Sequence, residues 1–387
     1  MFFFFAWVLR VNPSVLIDEL MLELNAGGAL VGHLSAFYFY GYAGGQIPAG
    51  MLLDRFGPRR LLTVAAAVCA GGALLFSLST SLTGLSLARF LIGAGASFSL
   101  IGSIHIAGQW LPAQRYTLLS GLAMGCGMAG GVFGQAPVRL AVDEFSWRPV
   151  MAAIAMAGFA LAAVLWMTVR DQHRSSGGFS EVISGLGKVA RRKSNWLNAL
   201  AGLGVTGPLL GFGALWGVPY LEVSLGLDRA SAAGIASLTL AGVGVGAPLS
   251  GWLCDRVSSK RLPLMLGSCT SAMALMTLLF LIDTPIAAGF ACFALGLSTS
   301  VQVVNFLFAR EHNPPELRAT ATGLINGTVT GAGALFQPAI GWALDSSWDG
   351  TMSEGVRVYT ANDFQWALSL LLITLALGFC CAAALRE

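Results

Sequence analysis

Two arginines lie inside apolar stretches of the chain that otherwise carry almost no charge. Arg10 stands halfway along the first stretch, three residues before Pro13, and Arg89 lies in the fourth. A charge buried in a membrane costs about 3 kcal/mol or more, so such a residue marks a functional site by default. A guanidinium matches a carboxylate in geometry and charge. We therefore expect Arg10 to contact an anionic substrate; neutralisation by helix ends or by Asp18 is the alternative.

Proline supports this interpretation of the first stretch. Pro13 has no N–H group and bends a helix, which leaves backbone carbonyls in need of other partners. Irregular backbone at membrane depth is tolerated where it lines a cavity or is covered by protein. The sequence therefore predicts that Arg10 lies near the middle of the membrane, in a segment that lines a cavity.

Polar and aromatic side chains at helical spacing are the other substrate-binding candidates. Tyr38, Tyr42 and Gln46 stand at i, i+4 and i+8 and so share one helix face. Aromatic rings with polar tips suit a binding cavity, and they suit a helix interface equally well. The corresponding candidates further along the chain are Gln135, Trp216, Tyr220, Gln302, Asn305, Asn326 and Gln337.

The acidic residues are informative by position, because none of the 19 lies in the middle of a predicted span. We place Asp18, Glu19 and Glu23 after the first span and Glu222 after the seventh. A carrier of cations would need a buried carboxylate to meet them, so an anionic solute is favoured. Proton coupling then depends on the substrate's own carboxyl or on one of a few side chains: Asp18, Glu19, His33 and His105. For His105, an interhelical hydrogen bond is the alternative role.

Composition defines the elements that position these groups. Hydrophobic residues make up 56% of the 387 residues and charged residues only 11%, against about 25% charged in soluble domains. A crossing needs about 20 apolar residues. The chain yields twelve predicted spans, near 1–20, 28–52, 59–80, 83–110, 115–140, 147–170, 196–221, 230–253, 262–282, 285–309, 317–344 and 364–385.

Several classes of function are disfavoured. The seven cysteines lie in apolar runs without metal-ligand spacing, which indicates packing residues. No nucleophile stands beside a base, and no glycine-rich loop precedes a lysine. A net charge of +3 is too small to suggest nucleic acid. We therefore expect no enzymatic activity, cofactor, metal or nucleic-acid partner, and a monomer in the lipid bilayer.

Loop charges orient the chain. Of the 22 Lys and Arg residues, 16 fall on one side of the predicted spans. The positive-inside rule makes that side the cytoplasm, with both termini there, in a bacterial inner membrane. The polar stretch 171–194 predicts a cytoplasmic linker with a short amphipathic helix on the membrane surface. The predicted divisions are 1–172, a linker at 173–195, and 196–387.

The two divisions repeat each other. Gly50-Met-Leu-Leu-Asp54-Arg55 returns as Gly251-Trp-Leu-Cys-Asp255-Arg256 at an offset of 201 residues, and Gln135 returns as Gln337 at an offset of 202. Such a repeat is typical of transporters whose two halves rock about a central site. It predicts an all-α membrane protein of twelve helices in two pseudo-symmetric six-helix bundles. The position equivalent to Arg10 is about Gly211, which is uncharged.

These motifs resemble a known family. Gly50-x-x-x-Asp54-Arg55-x-Gly57-x-Arg59-Arg60 looks like the main signature of the major facilitator superfamily, and Arg89-x-x-x-Gly93-x-Gly95 is similar to its second motif. The resemblance implies a charge cluster that locks the halves on the cytoplasmic side and breaks when that side opens. The gating candidates are Asp54, Arg55, Arg59, Arg115, Asp255 and Arg256, and topogenic loop charge is the alternative. For Arg89 the resemblance implies proton movement or bracing of the fourth helix.

The sequence as a whole predicts a secondary active transporter. We expect it to move a small polar, carboxylate-bearing solute by alternating access, coupled to protons. One alternative is a proton-driven exporter of drugs or siderophores with the same fold. The other is a membrane sensor that does not transport.

Overall fold

The computed structural model describes residues 1–110, 113–171, 179–257, 259–314 and 317–385. Within these ranges, side chains are described except at 47, 50, 51, 54, 107–110, 113–121, 179–184, 255 and 319. The described chain is almost entirely helical, which confirms the predicted all-α membrane fold. Apolar composition and the need to pair every backbone N–H and C=O inside a bilayer both favour helices.

The first part of the chain contains eight helices. A short break divides the first span into α1 and α2 and the fifth span into α6 and α7. Their bounds are α1 Phe2–Val11, α2 Ile17–Leu24, α3 Gly28–Phe56, α4 Pro58–Leu78, α5 Leu82–Trp110, α6 Ala113–Phe133, α7 Ala136–Phe145 and α8 Trp147–Thr168.

The second part repeats this plan after a linker helix, α9 Phe179–Ala190. Its helices are α10 Lys193–Pro208, α11 Gly217–Leu225, α12 Arg229–Arg256, α13 Arg261–Phe280, α14 Pro285–Thr299, α15 Val303–Glu311, α16 Arg318–Ser347 and α17 Ala361–Ala383. A small antiparallel hairpin, β1 Met352–Ser353 with β2 Val356–Arg357, lies in the loop before α17.

Eight of the described helices are long and apolar enough to cross a membrane by length and composition. The first crossing contains a shorter apolar helix, Phe2–Val15. Three interruptions matter below: a 3-10 turn at Asn12–Val15, a π-helix at Leu209–Trp216, and a 3-10 turn at Ser300–Gln302. Each lies between two helices of one crossing.

The structure corrects the predicted ends of several spans. Asp18, Glu19 and Glu23 do not follow the last helix of the first span but lie on its second helix, α2, which ends at Leu24. Glu222 likewise lies inside α11. These acids are accommodated because arginines from other helices pair with them. The linker helix α9 is present as predicted, and α10 begins at Lys193, within the predicted linker.

Close helix packing repeats in the two halves. A Cβ on Gly45 of α3 would lie 2.8 Å from the Cβ of Ser97 on α5, and a Cβ on Gly246 of α12 would lie 2.8 Å from the Cβ of Ser300. Only glycine permits such an approach, and small residues are the usual contact of membrane helices. The halves therefore share their packing as well as their sequence motifs.

The halves meet through α3 against α16 and through α6 and α7 against α12. We call the end of the bundle that holds Arg55, Arg59, Arg256 and Arg310 the basic end. The other end, with Asp18, Glu19, Glu222 and Asp345, is the acidic end. The basic end corresponds to the predicted cytoplasmic side.

Candidate functional site

The break in the first crossing has its released carbonyl groups paired by arginines. Pro13 cannot donate to Leu9, and the Nη1 of Arg89 donates to that Leu9 oxygen at 2.7 Å. Arg139 on α7 donates to the carbonyl of Val15 at 2.8 Å. The Arg89 side chain is buried, with 1% of its surface exposed. It lies on α5, whereas the break lies between α1 and α2. Arg89 therefore links α5 to α1 through its hydrogen bond to the Leu9 carbonyl.

Arg10 is enclosed by aromatic rings. Its Nε donates to the Tyr38 hydroxyl at 3.0 Å, and its guanidinium carbon lies 4.3 Å from the Trp7 ring centroid and 4.6 Å from that of Tyr42. A cation over an aromatic face gains about 2 kcal/mol when desolvated. The side chain is buried, and among the side chains that the structure describes no carboxylate pairs with it. The aromatic rings thus hold a cation whose charge has no described counterion.

The predicted aromatic face of α3 is present. The rings of Tyr38 and Tyr42 stack at 5.9 Å with an interplanar angle of 21°. Gln46 continues the face toward the basic end, where it donates to the Ser97 carbonyl at 3.0 Å and accepts from Asn326 at 2.7 Å. Gln46 and Asn326 therefore join the two halves directly.

The repeat-related glutamines meet at the π-helix of the seventh crossing. Gln135 donates to the carbonyl of Gly213 at 2.8 Å, and Gln337 donates to that of Leu210 at 2.8 Å. Trp216 donates from its indole to the Gln337 carbonyl at 2.9 Å. The side-chain oxygens of both glutamines are buried and have no donor within the described part of the chain.

Three other predicted residues make contacts within the second half only. The Tyr220 hydroxyl donates to the carbonyls of Leu278 and Leu279 on α13. Gln302 accepts from Thr206, and the Asn305 carbonyl accepts from Asn198. None of these hydrogen bonds involves Arg10 or the aromatic rings around it.

The predicted proton-coupling residues fall into two groups. Asp18 and Glu19 join an ion-pair network at the acidic end, described below. His33 is exposed beside Phe37 on α3, and His105 is half-buried on α5. The histidines therefore lie on separate helices from this network.

The network connects the halves. Glu19 accepts from Arg139 at 2.6 Å and lies 3.8 Å from Arg229 of α12. Arg229 also pairs with Asp18 and, at 2.8 Å, with Glu222. Arg139 in turn pairs with Asp143. Glu19 therefore lies between an arginine of each half.

Half of the predicted gating residues have described side chains. Arg59 donates from its backbone to Asp171 at 2.9 Å and from Nε to the Trp166 carbonyl at 2.8 Å. Arg55 and Arg256 lie against their neighbours Phe56 and Trp252. These contacts stay within one half. The side chains of Asp54, Arg115 and Asp255 lie outside those the structure describes.

The sequence reasoning missed several residues of the site. Trp7 stands three residues before Arg10 on the same helix face, a spacing that could have identified it. Arg139 and Arg229 are not among the predicted candidates. The signal that could have found them is the set of acids at the same end of the bundle, Asp18, Glu19 and Glu222, with which they pair. Asp345 and Tyr359, which meet α3, carried no signal in the sequence.

The chain belongs to the Major Facilitator Superfamily, whose family pattern it matches over residues 1–338. This confirms the resemblance drawn from the motifs. The fold agrees: a bacterial homologue of the human lysosomal transporter Spinster, in an inward-facing and occupied conformation, superposes with a TM-score of 0.75 at 14% identity, over 99% of this chain and 94% of that one.

Two curated relatives are named for small organic acids. A probable sulfoacetate transporter of Cupriavidus necator is 23% identical over 67% of this chain and 64% of its own length. A probable galactarate/D-glucarate transporter of Bacillus subtilis is 24% identical over 41% of this chain and 36% of its own length. The chain thus spans less than two thirds of each. Their names agree with the prediction of a transporter rather than an enzyme.

Proposed function

We propose that the protein is a secondary active transporter that moves a small, carboxylate-bearing solute by alternating access. The observation that carries the proposal is Arg10, a buried guanidinium at a helix break with no described carboxylate partner. A buried cation without a counterion is costly, and an anionic solute would remove that cost. A carboxylate can accept two parallel N–H bonds from one guanidinium.

The polar groups around the seventh crossing extend this proposal. The unpaired oxygens of Gln135 and Gln337 are acceptors, so they favour a solute with hydroxyl donors. Galactarate and D-glucarate, for which one relative is named, are hydroxylated dicarboxylates. A hydroxylated organic acid therefore fits the site better than a purely apolar acid.

The contacts between the halves support alternating access. At the acidic end, the network of Glu19, Arg139 and Arg229 spans both halves. Rocking of segment 1–172 against segment 196–387 about the central site would break these pairs on one side of the membrane. The charge cluster predicted around Asp54 would act in the same way at the basic end.

The test is binding and uptake by the purified protein. A thermal-shift screen would cover sulfoacetate, galactarate, other organic acids, amino acids, siderophores and cationic drugs, and hits would go into liposomes. Arg10→Ala should weaken binding of the acid hit roughly a hundredfold or more, because stranding one member of a buried charge pair costs about 3–5 kcal/mol. Arg10→Lys keeps the charge without the planar fork and should be intermediate.

Arg310→Ala is the matched control, since it removes an exposed arginine at the basic end that touches none of these groups. It should leave affinity unchanged. Unchanged affinity in Arg10→Ala, or hits confined to cationic drugs, would rule out the anionic site and favour the exporter alternative.

Proton coupling is assigned to Glu19. Protonation would neutralise the carboxylate that lies between Arg139 and Arg229 and would loosen the acidic end. Glu19→Gln should therefore keep solute binding and exchange but lose acceleration by an imposed pH gradient. Gradient-driven uptake at the normal rate in this variant would exclude Glu19 as the coupling residue. Asp143→Asn, which removes a half-exposed acid of the same network, is the comparison variant.

A further inference from the structure

Asp345 at the end of α16 caps the first turn of α3, a helix of the other half. Its Oδ1 accepts from the backbone N–H of Gly28 at 2.9 Å, and its Oδ2 accepts from that of Ala29 at 3.0 Å. The first N–H groups of a helix have no partner within the helix, and the positive end of the helix dipole favours a carboxylate there. Here the cap comes from more than 300 residues away in sequence.

Two residues of the hairpin loop hold this carboxylate in place. The Tyr359 hydroxyl donates to Asp345 and itself accepts from the Gly28 N–H at 2.8 Å. Arg357 reaches the Oδ1 of Asp345 at 3.1 Å. Burial, and then the hydrogen bond to Asp345, raise the pKa of the Tyr359 hydroxyl, so that it stays protonated and remains a donor.

The backbones of α3 and α16 touch around this cap. A Cβ on Gly341 of α16 would lie 2.5 Å from the backbone carbonyl carbon of Gly28 at the start of α3. One turn further along, a Cβ on Gly32 would lie 2.9 Å from the Cα of Pro338. Glycine is needed at both positions because the two helices leave no room for a side chain. The acidic end is therefore closed between α3 and α16, with Asp345 at its rim.

We infer that Asp345 is a gate residue of the acidic end. Its bonds to Gly28 and Ala29 exist only while α3 and α16 are together, and they must break when the halves part at this end. This inference rests on the proposed alternating access. It places a carboxylate of one half on a helix end of the other half at the acidic end, whereas the resemblance implies a charge cluster at the basic end. Removing it should shift the protein toward the conformation that is open at the acidic end.

Hydrogen–deuterium exchange on the purified protein without solute tests this. In Asp345→Ala, the amide exchange rate at the start of α3 should rise roughly ten- to a hundredfold, because the N–H groups of Gly28 and Ala29 lose their hydrogen bonds to a charged carboxylate. The helix α7 belongs to the other contact between the halves, where it packs against α12 and does not touch Asp345. Opening would separate α7 from α12, so the exchange rate in α7 should rise as well. Asp349→Ala is the control: Asp349 is an exposed acid of the same loop that caps only Thr351.

Faster exchange at both places supports the gate. Faster exchange at α3 alone would show that Asp345 is an ordinary helix cap. No change at either place would show that its hydrogen bonds do not stabilise the conformation closed at the acidic end. Either result overturns the inference. If Asp345→Ala does not fold, Tyr359→Phe keeps the bonds of the carboxylate to the backbone and should give a smaller rise at both places. Because no solute is used, this result stands apart from the Arg10 binding test.

Discussion

The first crossing of each half departs from α-helical geometry at equivalent places in the repeat, but different chemical groups donate to the carbonyls at the two breaks. In the first half, a 3-10 turn at Asn12–Val15 exposes carbonyls that Arg89 and Arg139 pair. In the second half, Gln135 and Gln337 donate to the carbonyls of Gly213 and Leu210 within the π-helix at Leu209–Trp216. One break has charged donors and the other has neutral amides.

The difference indicates how the halves divide their work. Hydrogen bonds from charged groups contribute about 1.5–3 kcal/mol and neutral ones about 0.5–1.5 kcal/mol. In the first half the donors are arginines, so Arg10 at the same break lies in a positive environment that attracts an anion. In the second half the donors are glutamine amides, whose side-chain oxygens can accept hydrogen bonds from hydroxyl groups. We expect charge recognition in the first half and recognition of hydroxyl groups in the second.

The largest expected effect concerns the charged break and is a coupling between Pro13 and Arg89. In Pro13→Ala, the new backbone N–H can donate to the Leu9 carbonyl, so the hydrogen bond from Arg89 to that carbonyl is no longer needed. A double-mutant cycle with Arg89→Leu should give a coupling of about 1.5–3 kcal/mol in the free energy of unfolding. The measurement is denaturant or thermal unfolding of the four proteins in the same lipid environment.

The cycle separates this bond from the other consequence of the change. Arg89→Leu also removes the cost of burying a guanidinium, which is stabilising, but it does so in both backgrounds and cancels. Arg148→Leu, which removes an arginine paired with Glu23 at the acidic end, should show no coupling to Pro13→Ala. A coupling near zero between Pro13 and Arg89 would mean that the hydrogen bond from Arg89 to the Leu9 carbonyl does not stabilise the break.

Sequence reasoning identified the parts of this comparison that depend on local pattern. Pro13 predicted the released carbonyls, the i, i+4 spacing placed Tyr38 and Tyr42 on one helix face, and the repeat predicted equivalent places for Gln135 and Gln337. The apolar spans and the repeat predicted the twelve-helix fold, and the motifs indicated the family. These features follow from spacing along one helix or from the offset between the halves.

The remaining parts depend on pairs that are distant in the chain. Arg139 meets Val15 across 124 residues, and Asp345 meets Gly28 across 317. Nothing in the sequence around Arg139 or Asp345 specifies its partner. The π-helix was also unforeseen, because Leu209–Trp216 is uniformly apolar and its irregularity depends on tertiary contacts with Gln135 and Gln337.

A smaller effect is expected at the neutral break. Gln337→Met keeps the length of the side chain and removes the donor to Leu210, which should lower the free energy of unfolding by about 1 kcal/mol. Gln135→Met should do the same at Gly213, and because the two carbonyls are separate acceptors, the double variant should be close to additive. Each change should weaken binding of a hydroxylated acid more than that of an acid without hydroxyl groups, as measured by calorimetry on the folded variants. Equal losses for both acids would show that the amides only support the π-helix, and recognition in the second half would then have to come from other side chains.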